Sequence, residues 1–136
     1  MLPAAIWARP PPIPWRRARH VVTENARTKD AAAAMRAGEV GALGRLLFES
    51  HASMRDDFEL SSEALDAMVE AARAAPGCVG ARLTGGGFAG CAVALVELDA
   101  VAEFERSVSD AYTIATGRAC EVVRCRASDG ASARSL

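Results

Sequence analysis

The sequence lacks an excess of charge of either sign, and it lacks a long apolar run. Sixteen lysine and arginine residues stand against seventeen aspartate and glutamate residues, which leaves a net charge of −1. A balanced charge creates no overall field that would attract nucleic acid or an anionic membrane. No apolar run approaches the roughly 20 residues of a membrane span, and no secretory signal is visible. We therefore expect a cytoplasmic chain with neither nucleic-acid nor membrane partners.

Spacings typical of a metal site are also missing. The four cysteines match no C-x-x-C pattern, and both histidines lie far from them in the sequence. These residues are Cys78, Cys91, Cys120, Cys125, His20 and His51. Zinc binding is therefore not expected. In a reducing compartment the cysteines should be free thiols that serve as small buried hydrophobic residues.

The chain has the length of one domain, and its composition changes near residue 15. Its 136 residues are 51% hydrophobic, which is enough for a single core. All but one of the six prolines lie within residues 1–15, where neither helical nor strand periodicity is visible. We expect residues 1–15 to form an extended or disordered leader and residues 16–136 to form the folded domain.

Three helices are predicted in the first half of this domain. The first lies within 16–38, where an alanine-rich stretch favours helix and a closing glycine ends it. The second spans about 40–54, because apolar residues at steps of three and four place one apolar stripe along a helix. Ser61 and Ser62 can cap a third helix, which Pro76-Gly77 ends.

Strands dominate the second half. Apolar residues alternate over 79–83, as in a strand that is buried on one face. The continuous apolar run at 92–96 is typical of a strand that is covered on both faces. Asp99 can cap a fourth helix, and residues 121–125 have the pattern of one more strand.

A glycine-rich loop between the first two strands is the main candidate site. Its residues are Thr84, Gly85, Gly86, Gly87, Phe88 and Gly90. In one interpretation the glycines only supply the positive φ angles of a wide hairpin connection. In the other, they expose backbone N–H groups and let a ligand approach the main chain without an intervening Cβ atom. The loop is neither a Walker phosphate loop nor a Rossmann fingerprint, since no Gly-Lys-Ser/Thr and no helix follows it.

Arg82 is a secondary candidate, and three further residues have possible site roles with simpler alternatives that are favoured. Arg82 precedes the loop and can steady a phosphate or a loop carbonyl, or it can be a surface arginine on a strand. His51 can border a cleft, but a packing histidine is the favoured interpretation, and we assign it no catalytic role. Asp56 and Asp57 can act as paired carboxylates, although solvated or capping charges are favoured at a helix end.

Four blocks of the sequence carry a family resemblance. They are Arg17-Ala-Arg-His-Val-Val-Thr-Glu24, Leu46-Leu-Phe-Glu-Ser-His-Ala-Ser-Met-Arg-Asp-Asp-Phe58, Ser61-Ser-Glu-Ala-Leu-Asp66 and Gly80-Ala-Arg-Leu-Thr-Gly-Gly-Gly-Phe-Ala-Gly-Cys91. In this order they resemble the C-terminal half of the galactokinase family. The last block is similar to the third conserved motif of the wider GHMP superfamily of sugar and small-molecule kinases. With residues 127–131, which resemble the closing segment of the family, the resemblance covers residues 16–136.

The resemblance implies a fold and an activity. The fold is an α/β (α+β) domain of the GHMP-kinase C-terminal type, with helices packed on one face of a mainly antiparallel sheet. The activity is transfer of the γ-phosphoryl group of ATP to the 1-hydroxyl group of galactose with Mg²⁺. Galactose and ATP are thus the implied partners, and the loop from Thr84 to Gly90 would lie beside the phosphate loop and the phosphoryl-acceptor site. The resemblance assigns no catalytic residue to this chain.

The sequence also departs from the family pattern. The family's sugar-recognition motif, its Gly-Leu-Ser-Ser-Ser phosphate loop and its catalytic aspartate segment find no counterpart among the 136 residues. We therefore expect a chain that is inactive alone, binds ATP and Mg²⁺ weakly, and can self-associate through the surface that the missing half would cover. A stand-alone small-ligand-binding module and a protein-interaction module are the alternatives. Ala89 replaces a usual glycine, which costs about 1–2 kcal/mol if that position needs a positive φ.

Overall fold

The computed structural model describes residues 12–88 and 90–133, which form a helix-rich α+β fold with a two-stranded antiparallel sheet. In chain order the elements are α1 (Ile13–Ala37), α2 (Val40–Ser53), a π-helix (Met54–Phe58), α3 (Glu63–Ala74), β1 (Cys78–Thr84), β2 (Cys91–Val96), a 3₁₀-helix (Leu98–Ala100) and α4 (Val101–Thr116). This order confirms the expected fold class and the expected succession of helices before the hairpin.

Caps explain two of the helix boundaries. Gly38 has a φ of 71°, and its N–H donates to the carbonyls of Ala34 and Met35, so that a left-handed glycine closes α1. The Ser62 hydroxyl accepts a hydrogen bond from the Leu65 N–H at 3.3 Å and caps α3. Both boundaries follow from local signals in the sequence.

The first helix begins earlier than the sequence predicts. Ile13, Pro14 and Trp15 belong to α1, so the prediction of an extended leader is wrong for these residues. A proline is compatible with the first turn of a helix because its missing N–H would have no intrahelical partner there. Residues 1–11 of the predicted leader lie outside the described residues.

The hairpin of β1 and β2 places one face of the sheet on the core. Its register pairs Ala81 with Ala94 and Leu83 with Ala92. The buried residues of the main core cluster, contributed chiefly by α3, β1 and α4, are Val69, Ala71, Ala72, Ala75, Ala81, Phe104 and Val108. Leu83 packs in a second, smaller cluster beside the π-helix. The end of β1 is thus fixed by packing immediately before the glycine loop.

The second strand is not covered on both faces, contrary to the prediction. Val93 is 47% exposed and Cys91 is exposed as well. Within residues 12–88 and 90–133, β2 pairs with β1 only. An apolar run indicates hydrophobicity but does not identify the neighbours that cover it, so this pattern overestimated the burial of β2.

The predicted cap of the fourth helix is wrong. Asp99 lies inside the 3₁₀-helix, and α4 begins after Ala100 without a side-chain hydrogen bond at its N-cap. The 3₁₀-helix runs directly into α4, so the first turn of α4 is entered from helical backbone. A capping residue needs extended backbone, which this junction does not provide.

The predicted last strand is also wrong. Residues 121–125 form neither helix nor strand, and Val123 is 68% exposed. A strand requires a neighbouring strand for its backbone hydrogen bonds, and the two-stranded sheet of the described chain does not extend to this segment. Arg124 instead pairs with Glu105 of α4 at 2.6 Å.

The four cysteines are free thiols, as expected, but two of them are exposed. Cys78 packs against the main core cluster, and burial raises the pKa of its thiol. Cys120 is half-buried. The prediction of buried cysteines is wrong for Cys91, which lies on the uncovered strand, and for Cys125, which lies in the unpaired segment.

Candidate functional site

The glycine loop connects β1 to β2 through several left-handed residues. Thr84 ends β1 and Gly90 directly precedes β2, and both are exposed. The φ angle is 78° at Gly85, 77° at Gly87 and 58° at Phe88. Glycine adopts such angles without a steric penalty, whereas a bulky residue persists there only when its surroundings enforce the conformation. The shape of the loop therefore depends on what holds Phe88.

The second half of the loop is anchored to the connection between the π-helix and α3. The Phe88 N–H donates to the Leu60 carbonyl at 2.7 Å. A Cβ atom at Gly87 would lie 2.2 Å from the same carbonyl oxygen and 2.5 Å from Leu60 Cδ1. Packing alone therefore requires glycine at position 87.

The first half of the loop is open. A Cβ atom at Gly85 or Gly86 would meet nothing within 4 Å, and Gly86 is not among the residues with positive φ. Neither backbone conformation nor packing within the described residues explains a glycine at position 86. The Phe88 side chain is 68% exposed. Ala89, where the sequence departs from the family pattern, lies outside the described residues.

A buried histidine holds the strand that enters the loop. The His51 side chain is 1% exposed, and its Nδ1 accepts a hydrogen bond from the Leu83 N–H at 3.2 Å. Nδ1 must then be unprotonated, so the proton is on Nε2, which donates to Asp66 Oδ1 at 3.0 Å. Burial lowers the pKa of His51, although Asp66 opposes this effect. These contacts confirm the packing interpretation of His51.

Arg82 is engaged with groups of the protein. Its Nε donates to the Leu83 carbonyl at 2.9 Å, and its Nη1 donates to Ser50 Oγ at 2.9 Å and to Glu24 at 3.3 Å. Burial alone would raise the pKa of Glu24, but hydrogen bonds from Ser50 and Arg27 bring it below its usual range. Arg82 therefore ties the strand before the loop to α1 and α2.

The two neighbouring aspartates have separate partners. Asp56 is exposed and pairs with Arg55 beside it at 2.7 Å. Asp57 is 6% exposed, and its carboxylate binds Arg19 of α1 and the hydroxyl of Ser53. The prediction of solvated charges is confirmed for Asp56. It is wrong for Asp57, because an arginine from another helix compensates the buried charge.

Sequence reasoning does not single out Leu60, because its contact with the loop is made by a main-chain carbonyl that any residue carries. It does point to the start of α1 through the block Arg17 to Glu24, but it assigns no role there. The structure connects both places to the loop, since α1 binds the π-helix and Glu59, and Glu59 immediately precedes Leu60.

No metal site is preformed in the described part of the chain. Among residues 12–88 and 90–133, no three histidine, cysteine, aspartate or glutamate side chains lie close enough to share a metal ion. The same residues contain no helix that is long and apolar enough to cross a membrane. The Mg²⁺ that the resemblance implies therefore finds no complete set of protein ligands in this part of the chain.

Comparisons with known proteins agree on one family. The family model described as "GHMP kinases C terminal" matches residues 31–114. A galactokinase from Roseiflexus sp. (strain RS-1) is 51% identical over 114 residues, which cover 84% of this chain and 29% of that protein. The human galactokinase is 50% identical over 117 residues, which cover 86% of this chain and 29% of that protein.

A solved structure shows the same relationship. The crystal structure of Lactococcus lactis galactokinase complexed with galactose superposes with a TM-score of 0.74 and 46% sequence identity, covering 76% of this chain and 27% of that chain. The chain thus spans less than a third of the length of the relatives it matches. The family model itself matches more than half of the chain. The chain therefore belongs to the GHMP kinase C-terminal domain family.

Proposed function

We propose that this chain is the C-terminal part of a galactokinase-like sugar kinase, which phosphorylates the 1-hydroxyl group of galactose with ATP. The identity of about half of all aligned residues to galactokinases from distant organisms supports this function. The four ordered blocks of sequence support it as well. In the proposed kinase, the substrate- and nucleotide-adjacent element is the glycine loop, formed by Thr84, Gly85, Gly86, Gly87, Phe88 and Gly90.

The open half of the loop is the observation that carries the proposal. Phosphoryl transfer depends on positioning and on stabilisation of charge, which main-chain N–H groups can provide to phosphate oxygens. Such an approach needs space where a Cβ atom would otherwise stand, and Gly86 provides that space without any internal need for glycine. Gly87 is different, because Leu60 already accounts for it.

ATP and Mg²⁺ belong to the proposed kinase, and we expect this chain to bind them weakly when alone. Mg²⁺ would neutralise phosphate charge when bound. The described residues offer it no three-ligand cluster. The Arg82 guanidinium, the basic group nearest in sequence to the loop, is occupied by Glu24, Ser50 and a main-chain carbonyl. The role of this chain would be to shape one wall of the site.

The test is a reconstitution assay. The chain is incubated with ATP, Mg²⁺ and galactose, alone and together with the separately expressed segment of the Roseiflexus galactokinase that this chain does not match. We expect galactose 1-phosphate only in the mixture. Product from the chain alone would contradict the inactive-fragment interpretation. Absence of product from a mixture whose two polypeptides co-purify would contradict the proposed activity.

Substitutions at neighbouring glycines separate a ligand role from a packing role. Gly86→Val should lower the rate of the mixture by at least about tenfold, because its side chain occupies the open space, and should leave the melting temperature of the chain unchanged. Gly87→Ala is the matched control and should lower the melting temperature, since Leu60 leaves no room. Equal losses of stability and activity in Gly86→Val would mean that the glycines only form a hairpin connection and have no role in ligand binding.

A stand-alone ligand-binding module is the alternative function. It predicts that the isolated chain binds ATP or inorganic phosphate, with changes in the amide resonances of residues 84–90. The galactokinase proposal predicts weak or no binding to the isolated chain. An NMR titration with each compound distinguishes the two.

We also propose that the isolated chain can self-associate. The outer edge of β2 has no partner strand in the described residues, and Val93 is partly exposed beside it. Unpaired edges with apolar side chains attract further strands.

A further inference from the structure

Three arginines in the first turns of α1 hold the π-helix and the residue that ends it. The members of this arginine clamp are Arg16, Arg17 and Arg19. Arg16 donates to the Asp56 carbonyl at 3.1 Å and to one carboxylate oxygen of Glu59 at 2.8 Å. Arg17 donates to the Asp57 carbonyl and, at 2.6 Å, to the other oxygen of Glu59. Hydrogen bonds from Arg17 and Arg16 lower the pKa of Glu59, which stays ionised and engaged near neutral pH.

The third arginine binds a buried carboxylate. Arg19 Nε donates to Asp57 Oδ2 at 3.0 Å, and its second nitrogen pairs with Oδ1. Ser53 donates to Asp57 at 3.3 Å, and His20 Nδ1 lies 2.9 Å from Ser53 Oγ. His20, Ser53 and Asp57 are all buried. The clamp therefore joins α1 to the π-helix through both exposed and buried charge-assisted contacts, of the kind that are stronger than neutral hydrogen bonds.

The clamped segment is followed by Leu60, which contacts the glycine loop. Glu59 adopts a φ of 59° and is followed by Leu60, whose N–H donates to the Met54 carbonyl at 3.1 Å. The Leu60 carbonyl accepts the Phe88 N–H at 2.7 Å and packs against Gly87. Glu59, which the clamp binds, is thus the direct neighbour in the chain of Leu60, which binds the loop.

We propose that Arg16, Arg17 and Arg19 are positioning residues for the glycine loop, and that they act through Glu59 and Leu60. Phe88 has a φ of 58°, which a bulky residue keeps only where its surroundings enforce it. Leu60 enforces this angle, and the clamp fixes Leu60. The value of this positioning for phosphoryl transfer rests on the proposed function, whereas the coupling between α1 and the loop is a property of the chain itself.

Amide hydrogen exchange of the isolated chain tests this coupling without any ligand. Arg17→Met removes the hydrogen bonds to the Asp57 carbonyl and to Glu59. The Phe88 amide should then exchange at least about tenfold faster, as expected when support by a charge-assisted hydrogen bond is lost. The amide of Val69, inside α3 and in the core, should exchange at its original rate, because the change opens the loop locally and does not unfold the domain.

Arg55→Met is the matched control. Arg55 lies in the π-helix that the clamp holds, but its one ion pair among the described residues is with the neighbouring Asp56. It should leave the Phe88 amide unchanged. If Arg17→Met fails to fold, Glu59→Gln is nearly isosteric and removes the charge that Arg16 and Arg17 share. Glu59→Gln should also make the Phe88 amide exchange faster, as expected for Arg17→Met.

The proposal is overturned if the Phe88 amide keeps its rate in the folded variant, or if Phe88 and Val69 accelerate equally. The first outcome would mean that Leu60 needs no support from α1. The second would mean that the clamp stabilises the whole domain without a specific effect on the loop. Neither outcome depends on kinase activity, so an inactive reconstituted mixture with selective exchange at Phe88 would contradict only the proposed function.

Discussion

The protonation state of His51 decides whether one main-chain hydrogen bond before the glycine loop can form. Its Nδ1 accepts the Leu83 N–H, so a proton on this nitrogen would replace an acceptor with a second donor. The charged groups that act on His51 are Asp66 and Glu70, which favour the cation, and Arg55, which disfavours it. Burial outweighs the acidic residues, and the pKa of His51 is therefore lowered.

A lowered histidine pKa makes the fold sensitive to mild acid. The unfolded chain takes up the proton more readily than the folded chain, so the stabilising contribution is complete above the unfolded pKa of about 6.5. Below that value the free energy of unfolding should decrease by up to about 1.4 kcal/mol per pH unit for His51. Urea unfolding at several pH values should show this slope, and His51→Gln should reduce it.

The slope should be reduced but not abolished in this variant, because burial also lowers the pKa of His20. Adding His20→Gln should flatten the remainder above about pH 5, where the carboxylates of the unfolded chain are already ionised. An unchanged slope in His51→Gln would show that His51 does not titrate differently in the two states.

Single residues also show which contacts the sequence can predict. Ser62 was predictable because its partner lies three residues away, in the pattern of a serine N-cap. Asp57 was not, because its carboxylate is compensated by Arg19, which is 38 positions distant. His51 was predictable only as a packing residue, since its partners on β1 and α3 become neighbours only in the folded chain.

At the scale of the elements, the backbones of α2 and β1 are in close contact where both carry glycine. A Cβ atom at Gly44 would lie 2.1 Å from the Val79 carbonyl oxygen, and one at Gly80 would lie 2.5 Å from the backbone of Gly44. The helix that carries His51 and Ser50 is thereby placed against the strand that enters the loop. This contact sets the distance across which His51 reaches Leu83.

Two glycines of α2 test this contact. Gly44→Ala should lower the free energy of unfolding by about 2 kcal/mol or more, because the methyl group collides with backbone that can move only if the strand moves. Gly41→Ala, one turn earlier, meets nothing within 4 Å and should raise stability by about 0.5–1 kcal/mol. Urea denaturation followed by circular dichroism measures both. Similar effects at the two positions would contradict the proposed contact.

Elements that depend on local patterns were predicted well, and those that depend on distant neighbours were not. The stripe of apolar residues in α2 and the glycine that closes α1 are local signals, and both helices are confirmed. The π-helix gave no such signal, since it differs from α-helix only in which carbonyl each N–H reaches. Residues 121–125 have the composition of a strand but no partner strand in the described chain.

At the scale of the whole molecule, His51 of α2 contacts the outer edge of β1, whereas the outer edge of β2 has no partner strand among residues 12–88 and 90–133. The Leu83 N–H points towards His51 and away from β2. In an antiparallel pair, two opposite residues direct their polar backbone groups either towards each other or away from each other. Ala92 lies opposite Leu83, so its backbone N–H and C=O groups point away from β1. The direction of these groups repeats every two residues, so those of Ala94 point the same way. The N–H and C=O groups of Ala92 and Ala94 are therefore available on the outer edge of β2.

This edge is suited to a second copy of the chain. The six residues of β2 carry no charge and no proline, which are the features that usually protect an edge strand. Two copies of β2 can pair antiparallel about a twofold axis near Ala94, which would keep the apolar faces of both sheets on the same side. We expect a dimer whose proportion increases with protein concentration.

Val93→Lys should weaken this dimer, because a charged side chain on an edge strand opposes further pairing while the exposed position tolerates it. Ile114→Lys is the control, since Ile114 is 86% exposed on α4 and lies outside the sheet. Sedimentation velocity across a range of concentrations should show monomers for Val93→Lys and a dimer for the control and the unsubstituted chain. Equal weakening by both variants would place the contact elsewhere, and an unsubstituted chain that is monomeric throughout would show that the open edge alone does not drive association.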